Sequence, residues 1–487
     1  MTANLAQYCR DPLDVLIVGG GIVGAGIARD ATMRGLRTLL VERRDFAYGT
    51  SSRSSRLLHG GLRYLAQGRL GLVHEASVEK MTLHRIAPHL AQPLPFLFPT
   101  WKGTPWPRWR LSIGVRLYDL LCGGRNLGKS STLGSAEILA LLPGLRQQHL
   151  TGGVRYFDGL TSDARLVIDT LRSAERHGAR LANYTALENA EPHGGAWRCL
   201  LREECSGARI EVRARAVVNA AGPWGASFPY SGVRLRLTKG VHLVLSRERF
   251  PVPEAVVLPE GKRILFVIPW GERVILGTTD TDYSGDPDAV RADASDVAYI
   301  LAVVNAAFPR ARLVAGDILA LWSGLRPLIA PRRPQAGAPS DLSRRHWIHM
   351  TAPGWFDVAG GKLTTYRLMA QQTVDSLARH LGAKLPPCRT AETPLVEGGP
   401  AFSGILPPPV SREAVAHYCR REWARRLDDV MLRRSSWHYY HADAFRIAEH
   451  VALWMAEELG WTPSQRSAEL ARYLQTAEFP AQLEKPA

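Results

Sequence analysis

Three glycines near the N-terminus have the spacing of a dinucleotide-binding turn. Gly19, Gly21 and Gly24 follow an apolar run at 15–18, and Glu42 ends the next apolar run. In such a turn the first glycine permits a tight bend, the second lets backbone approach a pyrophosphate, and the third allows close helix packing. The acidic residue accepts a hydrogen bond from a ribose hydroxyl. The pattern predicts a bound dinucleotide but does not distinguish NAD from FAD.

The residues after Glu42 carry a more specific signal. The block 43–65 reads RRDFAYGTSSRSSRLLHGGLRYL and resembles the FAD-dependent, aerobic glycerol-3-phosphate dehydrogenase family, within the amino-acid-oxidase-like flavoproteins. Further blocks match in the same order, at 156–166, 219–224, 239–242, 268–270, 277–280, 323–328, 360–367 and 428–434. Because several ordered blocks are far more specific than one motif, the chain is identified as a member of this family.

The resemblance implies oxidation of sn-glycerol 3-phosphate to dihydroxyacetone phosphate at bound FAD, with electrons passed to a membrane quinone. Oxidising a secondary alcohol requires a hydride acceptor, a base for the hydroxyl proton, and groups that hold the substrate. Arginine suits the dianionic phosphate. The alternatives are an oxidase that uses oxygen, a related FAD enzyme with another small substrate, a nicotinamide dehydrogenase, and a binding protein without turnover.

The resemblance also implies roles for individual residues. His242 is the candidate base, Arg326 would stabilise charge on the alcohol oxygen, and Lys362 would face the flavin or the substrate phosphate. The implied substrate-binding residues are Arg63 and Arg344 for the phosphate and Tyr64 as a hydroxyl donor. Arg345 is an alternative to Arg344, because the loop at 330–340 departs from the family pattern.

The implied cofactor-binding residues are mostly small or polar. Those at 50–52 would lie along the pyrophosphate, those at 55–62 near the isoalloxazine, and those at 361–364 at its pyrimidine edge, while 221–222 would form a second close approach. Besides the glycine turn and Glu42, the set is Thr50, Ser51, Ser52, Ser55, Arg56, Leu57, Gly60, Gly61, Leu62, Ala221, Gly222, Gly361, Leu363 and Thr364.

Periodicity predicts the elements that must position these residues. A strand, glycine turn, helix and strand over 15–42 begin an α/β domain, and a helix is predicted over 163–177 with Asp163 as N-cap and Gly178 as its stop. Strands are predicted over 180–187, 197–203, 210–219, 235–245, 263–269 and 273–277. A helix is predicted over 362–378, and three more follow a proline-rich stretch, over 411–434, 442–459 and 464–474.

The predicted fold class is α/β. It combines a doubly wound, Rossmann-like FAD-binding domain with an inserted antiparallel-sheet substrate domain and a C-terminal helical domain. The predicted boundaries are 1–100, 151–228 and 321–385 for the FAD-binding parts, 101–150 for a cap segment, 229–320 for the substrate domain and 400–487 for the helical domain.

Composition limits the partners. Of 487 residues 46% are hydrophobic and 22% charged, which excludes a disordered or fibrous protein. The net charge of +16 favours acidic partners, but the absence of basic runs with interleaved aromatic residues argues against nucleic acid. The six cysteines form no CxxC pair, so we predict no metal site and a reducing cytoplasm. As a separate expectation, the protein forms a homo-oligomer.

The segment 101–121 has two interpretations. Its Trp and Arg residues alternate with aliphatic residues, which is typical of a helix that lies on an anionic membrane surface. The same pattern is typical of a core helix of the substrate domain. No leader peptide and no membrane-spanning run is expected from the sequence.

Overall fold

The computed structural model describes residues 12–480 except 63–64, 66–67, 123–125, 262, 331–345 and 397–400. Strands β1–β18 within these residues are Leu13–Val18, Thr38–Val41, Leu57–Leu58, Gln92–Trp101, Ser131–Leu133, Leu150–Leu160, Arg180–Ala182, Thr185–His193, Ala196–Glu203, Arg209–Asn219, Leu235–Ser246, Ala255–Glu260, Arg263–Trp270, Arg273–Gly277, Thr281–Tyr283, Ile318–Ile329, His346–Ala352 and Trp355–Gly360. Helices α1–α11 are Ile22–Met33, Leu70–Ile86, Arg108–Leu121, Ser135–Leu141, Asp163–Arg176, Ala294–Ala307, Tyr366–Leu381, Arg412–Arg421, Trp437–Tyr440, Ala444–Leu459 and Pro463–Thr476.

The first sheet has a parallel centre. Its order is β17-β18-β10-β1-β2-β7, with β8 and β9 attached through β10, and β1 pairs with β10 and β2 in parallel. Every residue of β1 is buried, as expected of a central parallel strand covered on both faces. Helices α1, α5 and α7 pack together on one face, whereas the β8–β9 hairpin contributes Trp197 and Leu201 to the core on the other.

The second sheet is larger than the sequence predicts. The strands predicted near 235–277 are present as β11, β13 and β14, and their pairings are antiparallel. However, β4 and β6 also belong to this sheet, because β4 pairs with β6 and with β12. Strand β16 pairs with β11 and crosses the predicted boundary at 320. These pairings join segments distant in sequence, which local periodicity does not reveal.

Several predicted boundaries shift. The single strand predicted over 180–187 is two strands, separated at Asn183 and Tyr184, where Tyr184 has a φ of 52°. At the start of α5 the N-cap is Ser162 rather than Asp163, whose carboxylate accepts hydrogen bonds from the N–H groups of Ser54 and Ala164. The helix predicted from 362 begins at Tyr366, after a 3₁₀ turn over Leu363–Thr365.

The continuous helix predicted over 411–434 is wrong. Helix α8 ends at Arg421, Trp423 has a φ of 57°, and residues Asp429–Arg434 form a short π-helix. Glu422 marks the break, since it is fully buried and accepts hydrogen bonds from the guanidinium of Arg165 on α5. A tertiary ion pair therefore overrides the local helical pattern.

Candidate active site

The predicted glycine turn has the geometry that its spacing implies. Gly19 has a φ of 115°, and a Cβ there would lie 2.5 Å from the Ala220 carbonyl oxygen. A Cβ at Gly24 would lie 1.9 Å from the Gly19 carbonyl oxygen, so α1 packs against the turn only with glycine at this position. Helix α1 begins at Ile22, whose N–H donates to Ser51 Oγ at 3.0 Å. The result is a bare backbone turn at a helix N-terminus, the arrangement that binds a pyrophosphate.

Glu42 lies at the end of β2 beside this turn. Its carboxylate accepts hydrogen bonds from the Gly20 N–H at 2.8 Å and the Arg44 N–H at 2.9 Å. Burial raises the pKa of Glu42, and the two backbone N–H groups oppose this shift. The side chain is therefore held at the position where a ribose hydroxyl could donate to it.

A cavity of about 510 Å³ extends from the turn between the two sheets. Its walls include residues from β1, β2 and β18 on one side and from β11 and β16 on the other. The predicted site residues that line it are Gly19, Gly21, Glu42, Thr50, Ser51, Ser55, Leu57, Ala221, Gly222, His242, Arg326, Gly361, Lys362 and Leu363. Residues from seven separated parts of the sequence thus meet at one cavity.

Other predicted cofactor residues lie behind the cavity wall. Gly24 packs against the turn, Ser52 is buried, and the Thr364 hydroxyl accepts from the His59 N–H at 3.0 Å. The Gly60 N–H donates to the Tyr118 hydroxyl at 2.7 Å. Arg56 does not line the cavity either, since it is buried among aromatic rings.

Gly61 and Leu62, two more of the predicted cofactor residues, line a neighbouring cavity. The predicted substrate-binding residues Arg63, Tyr64 and Arg344 lie outside the described residues.

His242 lies on β11 at one end of the cavity. It is 2% exposed, its Nε2 lies 2.8 Å from Ser55 Oγ, and its ring stacks on Trp322 with centroids 5.1 Å apart. A Cβ at Gly277 would lie 2.5 Å from His242 Cδ2, so this glycine makes room for the ring. Burial holds the pKa of His242 well below its usual value, and the charges of Arg326 and Arg56 lower it further. Both effects favour the neutral imidazole, which is the form that a general base needs.

Arg326 lies beside His242, at what we call the catalytic end of the cavity, and Lys362 also lines the cavity. Arg326 donates from Nη2 to Thr278 Oγ1 at 3.0 Å and from Nη1 to the Thr279 carbonyl at 3.2 Å, and it pairs with Asp280 at 3.3 Å. These contacts orient the guanidinium beside His242. Lys362 Nζ lies 3.4 Å from the Gly60 carbonyl oxygen. A base and two cations therefore line the cavity that begins at the glycine turn.

Sequence reasoning missed other residues of the cavity wall. Tyr48, Arg53 and His59 belong to the 43–65 block and could have been found from it. Arg202 and Glu204 line the wall near Glu42, but they come from the end of β9, where nothing in the local sequence marks a ligand.

A smaller cavity of about 150 Å³ adjoins the catalytic end. It shares Ser55, Leu57, His59, Phe266 and Arg326 with the main cavity. Its remaining wall includes the apolar or aromatic residues Leu62, Phe96, Phe98, Trp106, Tyr156, Val257 and Ile264 and the polar or charged residues Asp158, Arg263, Thr278 and Asp280. We refer to it below as the aromatic annex.

Comparisons with known proteins agree with this geometry. Residues 14–367 match the FAD dependent oxidoreductase family, and residues 369–466 match the C-terminal domain of alpha-glycerophosphate oxidase. Glycerol-3-phosphate dehydrogenase 2 of Mycobacterium tuberculosis is 36% identical, over 96% of this chain and 88% of its own length. The aerobic glycerol-3-phosphate dehydrogenase of Staphylococcus aureus is 38% identical, over 78% of this chain and 70% of its own length.

A solved structure extends the similarity to the fold. The glycerol-3-phosphate dehydrogenase from Bacillus halodurans, crystallised with FAD, has a TM-score of 0.80 and 28% identity to this chain. The match covers 99% of this chain and 98% of that one.

Fold, turn and cavity together define an FAD-dependent oxidoreductase. The donor set fits the cofactor, because the bare turn, the α1 N-terminus and Glu42 suit a pyrophosphate and a ribose, and the cavity continues from them to the catalytic end. The relatives, which cover 96% and 78% of this chain, narrow the class further. The chain belongs to the FAD-dependent glycerol-3-phosphate dehydrogenase family.

Proposed function

We propose that this enzyme oxidises sn-glycerol 3-phosphate to dihydroxyacetone phosphate and passes the electrons to a membrane quinone. The observation that carries the proposal is that His242, Arg326 and Lys362 all line the cavity that begins at the glycine turn. FAD supplies the hydride acceptor when bound. The family relationship supports the choice of substrate.

The side chains divide the remaining work. Neutral His242 takes the hydroxyl proton at its unprotonated ring nitrogen, and Ser55, which contacts Nε2, orients the ring. Arg326 donates hydrogen bonds to the alcohol oxygen as negative charge develops on it. Lys362, together with Arg63 and Arg344 as predicted from the sequence, binds the phosphate, and Tyr64 adds a hydroxyl donor.

Anaerobic flavin bleaching tests the substrate. We expect glycerol 3-phosphate to bleach the oxidised flavin absorbance of the purified enzyme, and glycerol at the same concentration to leave it unchanged. Glycerol is the matched control because it lacks only the phosphate. Bleaching by both compounds would reject the phosphate-binding roles, and bleaching by neither would reject the substrate.

The aromatic annex supports an apolar electron acceptor. It adjoins the catalytic end through Ser55, His59 and Arg326, and its wall combines aromatic and aliphatic side chains with polar ones such as Thr278 and Arg263. A quinone ring is a planar apolar group with polar oxygens at its edge, which suits such a wall. We expect a short-chain quinone to reoxidise the reduced enzyme faster than air does. Stoichiometric peroxide formation with a slow quinone reaction would favour the oxidase instead.

Helix α3 supports attachment to an anionic membrane surface. It buries Leu111, Val115 and Tyr118 against the protein. It exposes Trp109, Ile113 and Leu120 by 63%, 61% and 69%, and Arg108, Arg110 and Arg116 are also exposed. Each of the two interpretations of this segment thus accounts for one face of the helix. Apolar residues flanked by arginine suit the interface of anionic lipids. No helix among the described residues is long and apolar enough to span a membrane.

Liposome sedimentation tests this attachment. We expect the enzyme to sediment with anionic liposomes at low salt, to be released by high salt, and to lose binding when Trp109, Ile113 and Leu120 are changed to Ser. The matched control changes Phe445 and Leu453, two residues of α10 that are 44% and 42% exposed, and should retain binding. Equal loss in both variants would reject α3 as the contact.

The expected homo-oligomer stays a prediction, which analytical ultracentrifugation would test.

A further inference from the structure

Arg56 is an unusual cation behind the active site. It is 2% exposed, and its guanidinium carbon lies 4.3 Å from the ring centroid of Trp270, 5.2 Å from that of Trp322 and 5.7 Å from that of Tyr439. Nη2 donates to Ser436 Oγ at 3.2 Å, but Nε and Nη1 have no hydrogen-bond partner among the described residues. Because arginine stays protonated when buried, a full positive charge is enclosed here by aromatic rings.

The backbone holds Arg56 in this position at some cost. Its φ is 57°, in the left-handed region that a side chain other than glycine rarely adopts. The Arg56 N–H donates to Ser54 Oγ, and its carbonyl accepts from the Thr161 N–H. A strained residue with an incompletely paired buried charge is expensive for folding, and such costs are concentrated at functional sites.

Arg56 is connected to His242 in two ways. Ser55, its neighbour in the chain, contacts His242 Nε2 at 2.8 Å, and the Trp322 ring stacks on His242 while also lying beside the guanidinium. Trp322 is also hydrogen-bonded to the segment that contains Ser55 and Arg56, because its indole N–H donates to the Ser54 carbonyl at 3.2 Å. Arg56, Trp322 and His242 therefore form one packed unit, of which only His242 lines the cavity.

We propose that Arg56 is a positioning residue whose buried charge keeps His242 in the neutral, proton-accepting form and whose packing on Trp322 fixes the imidazole plane. This inference rests on the proposed role of His242 as the base. The predicted contact of Arg56 with the isoalloxazine is replaced by this indirect role. A nearby positive charge disfavours a second one on the imidazole, so Arg56 acts in the direction the base requires.

Several charged and titratable groups surround this unit. Arg326 on β16 also disfavours the imidazolium, and Asp280, which follows β14, pairs with Arg326 and weakens that effect. Asp163 at the start of α5 and Tyr439 on α9 act on Arg56 from its other sides. Since Arg326 itself faces the cavity, Arg56 is the cation that a substrate phosphate cannot neutralise by direct contact.

The first test is the pH dependence of kcat/KM for glycerol 3-phosphate in wild type, Arg56→Met and Arg56→Lys. In Arg56→Met we expect the acid limb of the pH profile to move to higher pH. The ratio of its kcat/KM to that of wild type should therefore be about tenfold lower on the acid limb than on the plateau. Arg56→Lys keeps the charge and should keep the wild-type profile. A uniform loss at every pH in Arg56→Met, or a shifted limb in Arg56→Lys, would overturn the proposal.

The second test needs no turnover. In the FAD-loaded enzyme with ¹³C-labelled histidine, the His242 signal is identified by its loss in His242→Asn. We expect it to remain neutral in wild type down to a lower pH than in Arg56→Met. A wild-type His242 that titrates at the ordinary value of about 6.5 would overturn the proposal even if Arg56→Met does not fold. Failure of glycerol 3-phosphate to bleach the flavin would instead reject the proposed function and leave this measurement valid.

Discussion

Two glycines decide where the candidate catalytic side chains lie. A Cβ at Gly240 would lie 2.5 Å from Arg326 Nη2 and 2.7 Å from Thr278 Oγ1, and Gly277 leaves comparable room for His242. Both glycines lie on strands, where glycine is otherwise unfavourable because it adds no packing. The two glycines are needed because functional side chains come close to the backbone at these positions.

We expect Gly240→Ala to displace the Arg326 guanidinium. The added methyl group meets a flexible side-chain end, so the fold should survive while kcat/KM falls about 10- to 100-fold, because small errors in the position of a catalytic group are costly. The measurement is the rate of flavin reduction by glycerol 3-phosphate. Gly316→Ala is the control, since a Cβ there meets nothing within 4 Å. Wild-type rates in Gly240→Ala would show that Arg326 tolerates the shift.

The segment after α11 fastens the end of the described chain to β16, the strand that carries Arg326. The Glu478 carboxylate accepts from the Ser323 N–H at 2.9 Å, the Ser323 hydroxyl at 2.7 Å and the Ala292 N–H at 2.8 Å. His438 on α9 completes this attachment. Its Nδ1 lies 2.6 Å from the Tyr473 hydroxyl, and its Nε2 lies 3.1 Å from the Glu478 carbonyl oxygen.

We expect His438 to make the enzyme less stable in acid. Burial lowers the pKa of His438 to about 4, against an ordinary value of about 6.5 in the unfolded chain. Between these pH values His438 is protonated in the unfolded chain but neutral in the folded protein. Its contribution to the free energy of unfolding therefore falls by about 3 kcal/mol in total as the pH drops from 6.5 to 4. The contribution is fully present above pH 6.5.

His438→Phe isolates this effect. The phenyl ring keeps the edge-to-face contacts with Tyr473 and Phe479 but cannot be protonated. Urea unfolding should give wild type a higher free energy of unfolding than His438→Phe at pH 7. This difference should shrink at pH 5. An advantage that stays constant between the two pH values would contradict the lowered pKa of His438.

At the scale of the whole molecule, buried ion pairs join the C-terminal helices to the cofactor-binding sheet. Arg434 donates to both oxygens of Asp45, at 2.6 and 2.7 Å, and Arg433 donates to the same carboxylate at 2.5 Å. Burial alone would raise the pKa of Asp45, but the charges of Arg434 and Arg433 outweigh it and lower the pKa. Two residues further on, the Ala47 N–H donates to the Gly20 carbonyl within the dinucleotide turn.

We expect Asp45→Asn to destabilise the protein by about 3–5 kcal/mol, because two buried cations lose their shared counter-charge. Since the Asp45 segment supports the glycine turn, the variant should also retain less FAD after purification. Urea unfolding and flavin absorbance per protein measure the two effects. The control is Glu457→Gln, which removes an exposed pair with Arg412 and should cost less than about 1 kcal/mol. Equal stability of the two variants would reject the structural role of Asp45.

The cofactor, the family and many of the elements follow from local features of the sequence. A glycine turn and its acidic residue are local features, since Gly19, Gly24 and Glu42 act within one strand-helix-strand unit. Strands such as β10 and β13 and helix α5 likewise follow from periodicity within a single segment. The ordered blocks predict one site for His242, Arg326 and Lys362 because the blocks are motifs of a family, and all three residues line the same cavity.

Features that depend on contacts between distant parts of the chain emerge only in the folded structure. It placed Arg56 among Trp270, Trp322 and Tyr439 instead of at the cavity, and it broke the predicted helix at Glu422 with a buried partner on α5. It also brought β4 and β6 into the second sheet. Local patterns record which face of a segment is buried, but burial of a charge depends on which partners the rest of the chain brings to it.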